Sequence, residues 1–139
     1  MKLLITTLAM IFISFGANAL SVEKLYKDCK PYQSNGFSTK NLSFEKQISS
    51  IACLSYLRGI RDKGDLNCKY LKGIKKAKAI DIESLRVLSL LLANSKASIS
   101  SVITSFINYA ENHPEKWKYT PDTYSKEYLS DKFPCKLDE

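Results

Sequence analysis

Four cysteines, Cys29, Cys53, Cys68 and Cys135, follow a leader-like N-terminus, and these two features together constrain the chain more than anything else in it. Lys2 supplies a short positive region, Leu3 to Phe15 an apolar run, and Ala17-Asn18-Ala19 a small-x-small motif. This is the pattern of an exported precursor cut after Ala19. Residues 1–19 are therefore expected to form a signal peptide and residues 20–139 a single mature domain in the periplasm. The apolar run is too short and too poorly flanked for stable membrane insertion. In an oxidising compartment an even cysteine count in a small domain implies two disulfides. Structural zinc fits badly, because there is no Cys-x-x-Cys pair and His113 is the one histidine. Three connectivities are open, and spacing alone does not choose among them. A Cys53–Cys68 bond would close a short loop and stabilise by about 3 kcal/mol in the chain-entropy model. Cys29–Cys135 would then tie the ends of the mature domain together, and this is the pairing preferred from the sequence.

With 21 basic and 14 acidic side chains the chain carries a net charge of +7. The basic residues are spread out, apart from a cluster at Lys69, Lys72, Lys75, Lys76 and Lys78 that suits a solvated helix face. For an exported protein the charge points to solubility or to steering toward an acidic protein or envelope surface, with no nucleic acid as partner.

Helical periodicity dominates the mature region. Val22, Leu25, Tyr26 and Cys29 mark a short amphipathic helix that Pro31 is expected to end. Tyr32 to Asn41 then forms a polar loop with a turn at Asn35-Gly36. Ser43 is placed to cap a second helix, with Phe44, Ile48, Ile51 and Ser55 on one face and Cys53, Leu57 and Ile60 extending its buried surface. Arg61 to Gly64 should end that helix. A basic helix is expected from Leu66 to Ala79, interrupted at Gly73, and another from Ile82 to Ala93 after an Asp81 cap. Asn94-Ser95-Lys96 connects it to a helix capped by Ser98 and carrying Val102, Ile103, Phe106, Ile107 and Ala110. His113-Pro114 stops that helix, since the residue before proline avoids the helical region. Thr120-Pro121-Asp122 starts a final helix reaching about Lys132 and burying Tyr124, Tyr128 and Leu129. No stretch alternates long enough to require a sheet. The expected fold is all-α, a compact bundle of five or six helices tied by two disulfides.

Catalytic chemistry is sparse. A nucleophile–base pair needs a free thiol or activated hydroxyl beside histidine, yet the thiols are better used as disulfides and His113 stands at a helix end. No carboxylate pair stands out, and the five glycines form no phosphate-binding loop. Trp117, Tyr119, Tyr124, Tyr128 and Phe133 suit packing, although such a patch could also anchor a protein. A binder without cofactor or metal is expected, not an enzyme.

The stretch Cys53-Leu54-Ser55-Tyr56-Leu57-Arg58-Gly59-Ile60-Arg61-Asp62 resembles the Cys-x-x-Tyr-hydrophobic-x-Gly-hydrophobic-x-Asp helix of the Rap/Tai immunity-protein family. Val102 to Glu115, closing in His113-Pro114-Glu115, is similar to that family's hydrophobic helix. Tyr124 to Cys135, closing in Phe-Pro-Cys, is similar to its last one, and the helix ending in Cys29 also fits. The resemblance implies a periplasmic immunity protein of a type VI secretion system, binding a secreted cell-wall amidase effector with a cysteine–histidine site. It also implies a helical, often homodimeric protein that occludes the effector's cleft with a loop and a neighbouring helix. One departure is clear. The family's third cysteine usually lies shortly before the helix matching Val102 to Glu111, whereas Cys68 lies far upstream, so residues 69–97 read as an insertion or a rebuilt helix pair. Candidate contact loops are 63–67, with Lys63, Asp65 and Asn67, and 94–97, with Asn94 and Lys96, because both are polar connectors on a crosslinked scaffold. A periplasmic holdase, or an envelope-assembly factor without toxin-neutralising activity, is the alternative.

Overall fold

Helix α1 (Val22–Ser34) starts where the Ser21 hydroxyl accepts the Lys24 N–H at 3.2 Å, the usual way an N-cap serine satisfies an orphan donor. Two more first-turn donors, the N–H groups of Val22 and Glu23, reach the carbonyls of Tyr119 and Trp117 at 2.9 and 3.2 Å. The start of the domain is thus sewn to a segment near its end. The computed structural model describes residues 20–76, 97–124 and 128–137. The expected leader, residues 1–19, the helix expected from Ile82 to Ala93, and Asn94 and Lys96 lie outside the described residues.

Pro31 does not end α1, which continues to Ser34. Proline withholds its own N–H, but its carbonyl still accepts from Asn35 at 3.1 Å, so the last turn closes. The chain then reverses through Gly36 and Phe37, both left-handed with φ of 64° and 60°. Asn35 fixes the turn by donating its side-chain amide to the carbonyls of Ser38 and Lys40 at 2.8 and 2.7 Å.

Helix α2 (Phe44–Lys76) is one rod of 33 residues where two helices were expected. Neither Arg61–Gly64 nor Gly73 breaks it. Ser50, Cys53, Leu57, Gly64, Cys68 and Leu71 form one buried row at helical spacing, and burying that row outweighs the roughly 1 kcal/mol that each glycine costs in a helix. No proline lies within it. Helix α3 (Ile99–Asn112) begins as expected, with Ser98 Oγ accepting the Ser101 N–H at 3.1 Å, and ends before His113-Pro114. A 3-10 turn, Pro114–Lys116, follows. Of the expected final helix, turns at Asp122–Tyr124 and Ser130–Lys132 are described, while residues 125–127 lie outside the described residues. The described residues thus hold four helical regions, α1, α2, α3 and the turns near the C-terminus, and no β-strand; the count falls below the expected five or six because α2 replaces two helices and the one expected from Ile82 to Ala93 is not described.

Helices α1, α2 and α3 pack on one another. Their shared core contains Val22, Leu25 and Cys29 of α1, Cys53 and Leu57 of α2, and Val102, Ile103, Phe106, Ile107 and Ala110 of α3, closed by Tyr124 and Leu129. A second, smaller cluster joins Cys68 and Leu71 to Cys135, with Ile74 and Leu137 against it.

The disulfides are Cys29–Cys53 and Cys68–Cys135, with Cα–Cα distances of 5.1 and 5.6 Å. This overturns the preferred pairing, and α2 supplies the reason. Once the helix is continuous, Cys53 and Cys68 stand about 22 Å apart along one rigid rod, far outside disulfide reach. One bond instead fastens α1 to the first half of α2, and the other fastens the second half of α2 to the C-terminal segment.

Candidate interaction surface

Two apolar rows run along α2. The buried row faces α1, α3 and the C-terminal segment. The other holds Phe44, Ile48 and Ile51, expected in the core, yet 76, 53 and 55% exposed. Leu66 and Tyr70 continue it at 64 and 71%. Cys53 decides which row goes inside. It follows Ile51 by two residues, about 200° around the helix, and its bond to Cys29 turns that side toward α1. The signal for the outer row was present in the sequence as a 3.6-residue spacing, but it is indistinguishable by pattern from a core face.

The outer row passes Ser55, Gly59 and Asp62, all exposed, so its middle is small and polar. A Cβ at Gly59 would meet nothing within 4 Å. The fold therefore has no internal use for glycine there.

Beside this stripe Arg61, Asp62, Asp65 and Ala97 line a depression of about 270 Å³. Arg61 donates to Asp62 through Nε and a terminal nitrogen at 2.9 and 2.7 Å, and Lys69 pairs with Asp65 at 2.8 Å. The expected contact loop 63–67 is not a loop: Lys63, Asp65 and Asn67 belong to α2. Nevertheless the depression brings Asp65 beside Ala97, the residue that follows Lys96. The two stretches selected from the sequence thus converge at their described edges.

A second groove, of about 400 Å³, lies along α3. Ser100, Ser101, Thr104, Ser105 and Asn108 line it together with Phe37, Lys132 and Phe133. Elsewhere the aromatic residues are structural. Trp117 donates its indole N–H to the Ala110 carbonyl at 2.7 Å and stacks on Tyr26 at 5.8 Å between centroids. Tyr124 is buried against Phe106 and Tyr109 and donates to the Val102 carbonyl at 3.1 Å; burial pushes its phenol far above the ordinary range. Tyr119, expected to pack, is 55% exposed. His113 bonds Glu115 at 3.1 Å and lies against the Tyr109 ring, which gives it a local role at the end of α3. Among the described residues no group of three or more His, Cys, Asp or Glu side chains is placed to hold a metal, and no helix is long and apolar enough to cross a membrane.

The surface is that of a crosslinked helical scaffold presenting a mixed apolar and polar face. A family model described as Rap1a immunity proteins matches residues 21–135, a span holding α1, α2, α3 and both disulfides. No curated protein and no solved structure matches the chain. The match runs through nearly the whole described fold, and the chain belongs to the Rap1a immunity protein family.

Proposed function

We propose that this chain neutralises a type VI secreted cell-wall amidase by binding it in the periplasm, one copy blocking one active site without turnover. The observation that carries this is the family match over residues 21–135. The scaffold supports it, since a helical domain held by two disulfides keeps a binding face in shape without catalytic machinery. The contact region is the polar surface around Arg61, Asp62, Lys63, Asp65 and Asn67 together with Ala97; Asn94 and Lys96, also proposed as contacts, lie outside the described residues. Export follows from residues 1–19 acting as a cleavable leader.

The test uses the oxidised chain from Leu20 onward, mixed with an amidase encoded beside its gene. Tight binding with loss of amidase activity is expected. Lys63→Glu and Lys96→Glu should each weaken the complex while leaving the melting temperature in place, because reversing a charge at a binding surface acts on association more than on folding. An amidase that keeps full activity at saturating chain sinks the proposal. Unchanged affinity in both variants removes this contact surface.

A further inference from the structure

The groove along α3 holds two residues that the fold by itself does not favour. Ser105 lies among core residues of α3, 5% exposed, and its hydroxyl is buried without a hydrogen-bond partner. The Tyr124 phenol stands within reach of it, yet donates to the Val102 carbonyl at 3.1 Å. Alanine would suit that place on a helix better, and a buried hydroxyl left unmatched calls for a partner. Phe37 holds a left-handed φ of 60°, a conformation that suits glycine and penalises a bulky side chain. Both line the same groove of about 400 Å³, within the roughly 300–1,000 Å³ of ligand pockets. Two departures from local preference that converge on one groove are the mark of a functional site.

The rest of the lining sets the chemistry of the ligand. Ser101, Thr104, Ser105 and Asn108 follow helical spacing, so their hydroxyls and carboxamide form one polar stripe on α3. Phe37 and Phe133 add aromatic surface, and Lys132 is the one charged group among the described lining residues. Ser100 and Ser101 belong to the first turn of α3, where the helix dipole favours negative charge. A pyranose ring presents an apolar C–H face to an aromatic ring and a rim of hydroxyls to polar side chains. We infer that this groove binds an N-acylated sugar bearing a carboxylate, the chemistry of a muramic acid unit of the cell-wall glycan. Lys132 takes the carboxylate, the α3 stripe takes the hydroxyls and the amide, and the phenylalanine rings take the apolar face. The site keeps its shape without a ligand. The Asn35 amide fixes the turn that carries Phe37, and Phe133 lies two residues before the crosslinked Cys135. The groove shares no lining residue with the depression at Arg61 and Asp65, so sugar binding and amidase binding fail separately.

The experiment titrates the isotope-labelled, oxidised chain from Leu20 onward with N-acetylmuramic acid, N-acetylglucosamine and sodium acetate, followed by backbone amide NMR shifts. Saturable shifts centred on Thr104, Ser105, Asn108 and Phe133 are expected with N-acetylmuramic acid. Binding of N-acetylglucosamine, which lacks the carboxylate, should be weaker, and Lys132→Gln should remove that difference between the two sugars. Ser105→Ala separates binding from packing. It should raise the melting temperature, since an unmatched hydroxyl leaves the core, while weakening N-acetylmuramic acid about threefold or more. An affinity unchanged in Ser105→Ala overturns the inference. So does the absence of saturable shifts with either sugar up to about 20 mM. Acetate shifting the same residues as strongly as the sugar also overturns it, because the groove is then a plain anion site. Loss of amidase inhibition with sugar binding intact bears on the proposed function alone.

Discussion

Glu111 shows how much one side chain contributes at the residue scale. It accepts from Lys30 and from the Tyr26 hydroxyl, the latter at 3.0 Å, and so ties α3 to α1. The hydrogen bond from Lys30, then that from Tyr26, hold its carboxyl below the usual range. A carboxyl depressed in the folded state stabilises above its unfolded value and loses that contribution as pH falls through the folded one. The loss is therefore expected below about pH 4.5. Glu111→Gln should flatten this part of the acid limb in melting curves and weaken its salt dependence; superimposable acid profiles would dismiss the link. Gly36 gives a second expectation. Its φ of 64° has open space around it, so Gly36→Ala should cost about 1–2 kcal/mol through the backbone alone, read from denaturant midpoints. The Asn35-Gly36 turn was legible in the sequence. Phe37 at positive φ was not, because the conformation comes from the Asn35 amide holding Ser38 and Lys40, and residue type does not announce it.

Among the elements, the start of α1 at Val22, the Ser98 cap of α3 and the stop at His113-Pro114 were readable, since each depends on neighbours in sequence; the Ser21 cap of α1 was not singled out. The continuity of α2 was not. Local propensity at Gly64 favours a break, and what overrides it is burial against partners distant in the chain. The choice between the two apolar rows was equally hidden. A contrast of truncations checks it in dilute samples: Leu57→Ala should cost about 2–5 kcal/mol as a core deletion, while Ile51→Ala should stay within about 0.5 kcal/mol as a surface change. Comparable losses at both positions would mean the helix is turned the other way. The candidate contacts suffered from the same error. Lys63, Asp65 and Asn67 were selected as a loop, and their place beside Ala97 emerges only once the helix is seen whole.

At the scale of the whole molecule, two clusters divide the labour. The larger core holds α1, α2 and α3 together, and the smaller one, with Cys68–Cys135 and the Lys75 ammonium on the Leu137 carbonyl at 2.9 Å, fastens the C-terminal segment to the second half of α2. Replacing Cys68 and Cys135 together by serine should cost about 4 kcal/mol in the chain-entropy model. Hydrogen exchange should quicken in residues 64–76 while protection of α1 and α3 persists. Uniform loss of protection would show that the two clusters unfold as one. Composition made a disulfide-tied helical domain legible, yet the pairing depended on the rod that forbids Cys53–Cys68.

That pairing joins the first cysteine to the second and the third to the fourth. A chain oxidised as it emerges N-terminus first therefore meets each correct partner as the next thiol to appear. By the time Cys68 arrives, Cys29 and Cys53 are already spent on each other. Native bonds then accumulate in the order of synthesis, and the yield of oxidised protein is expected to be indifferent to a disulfide isomerase while remaining sensitive to the supply of oxidant.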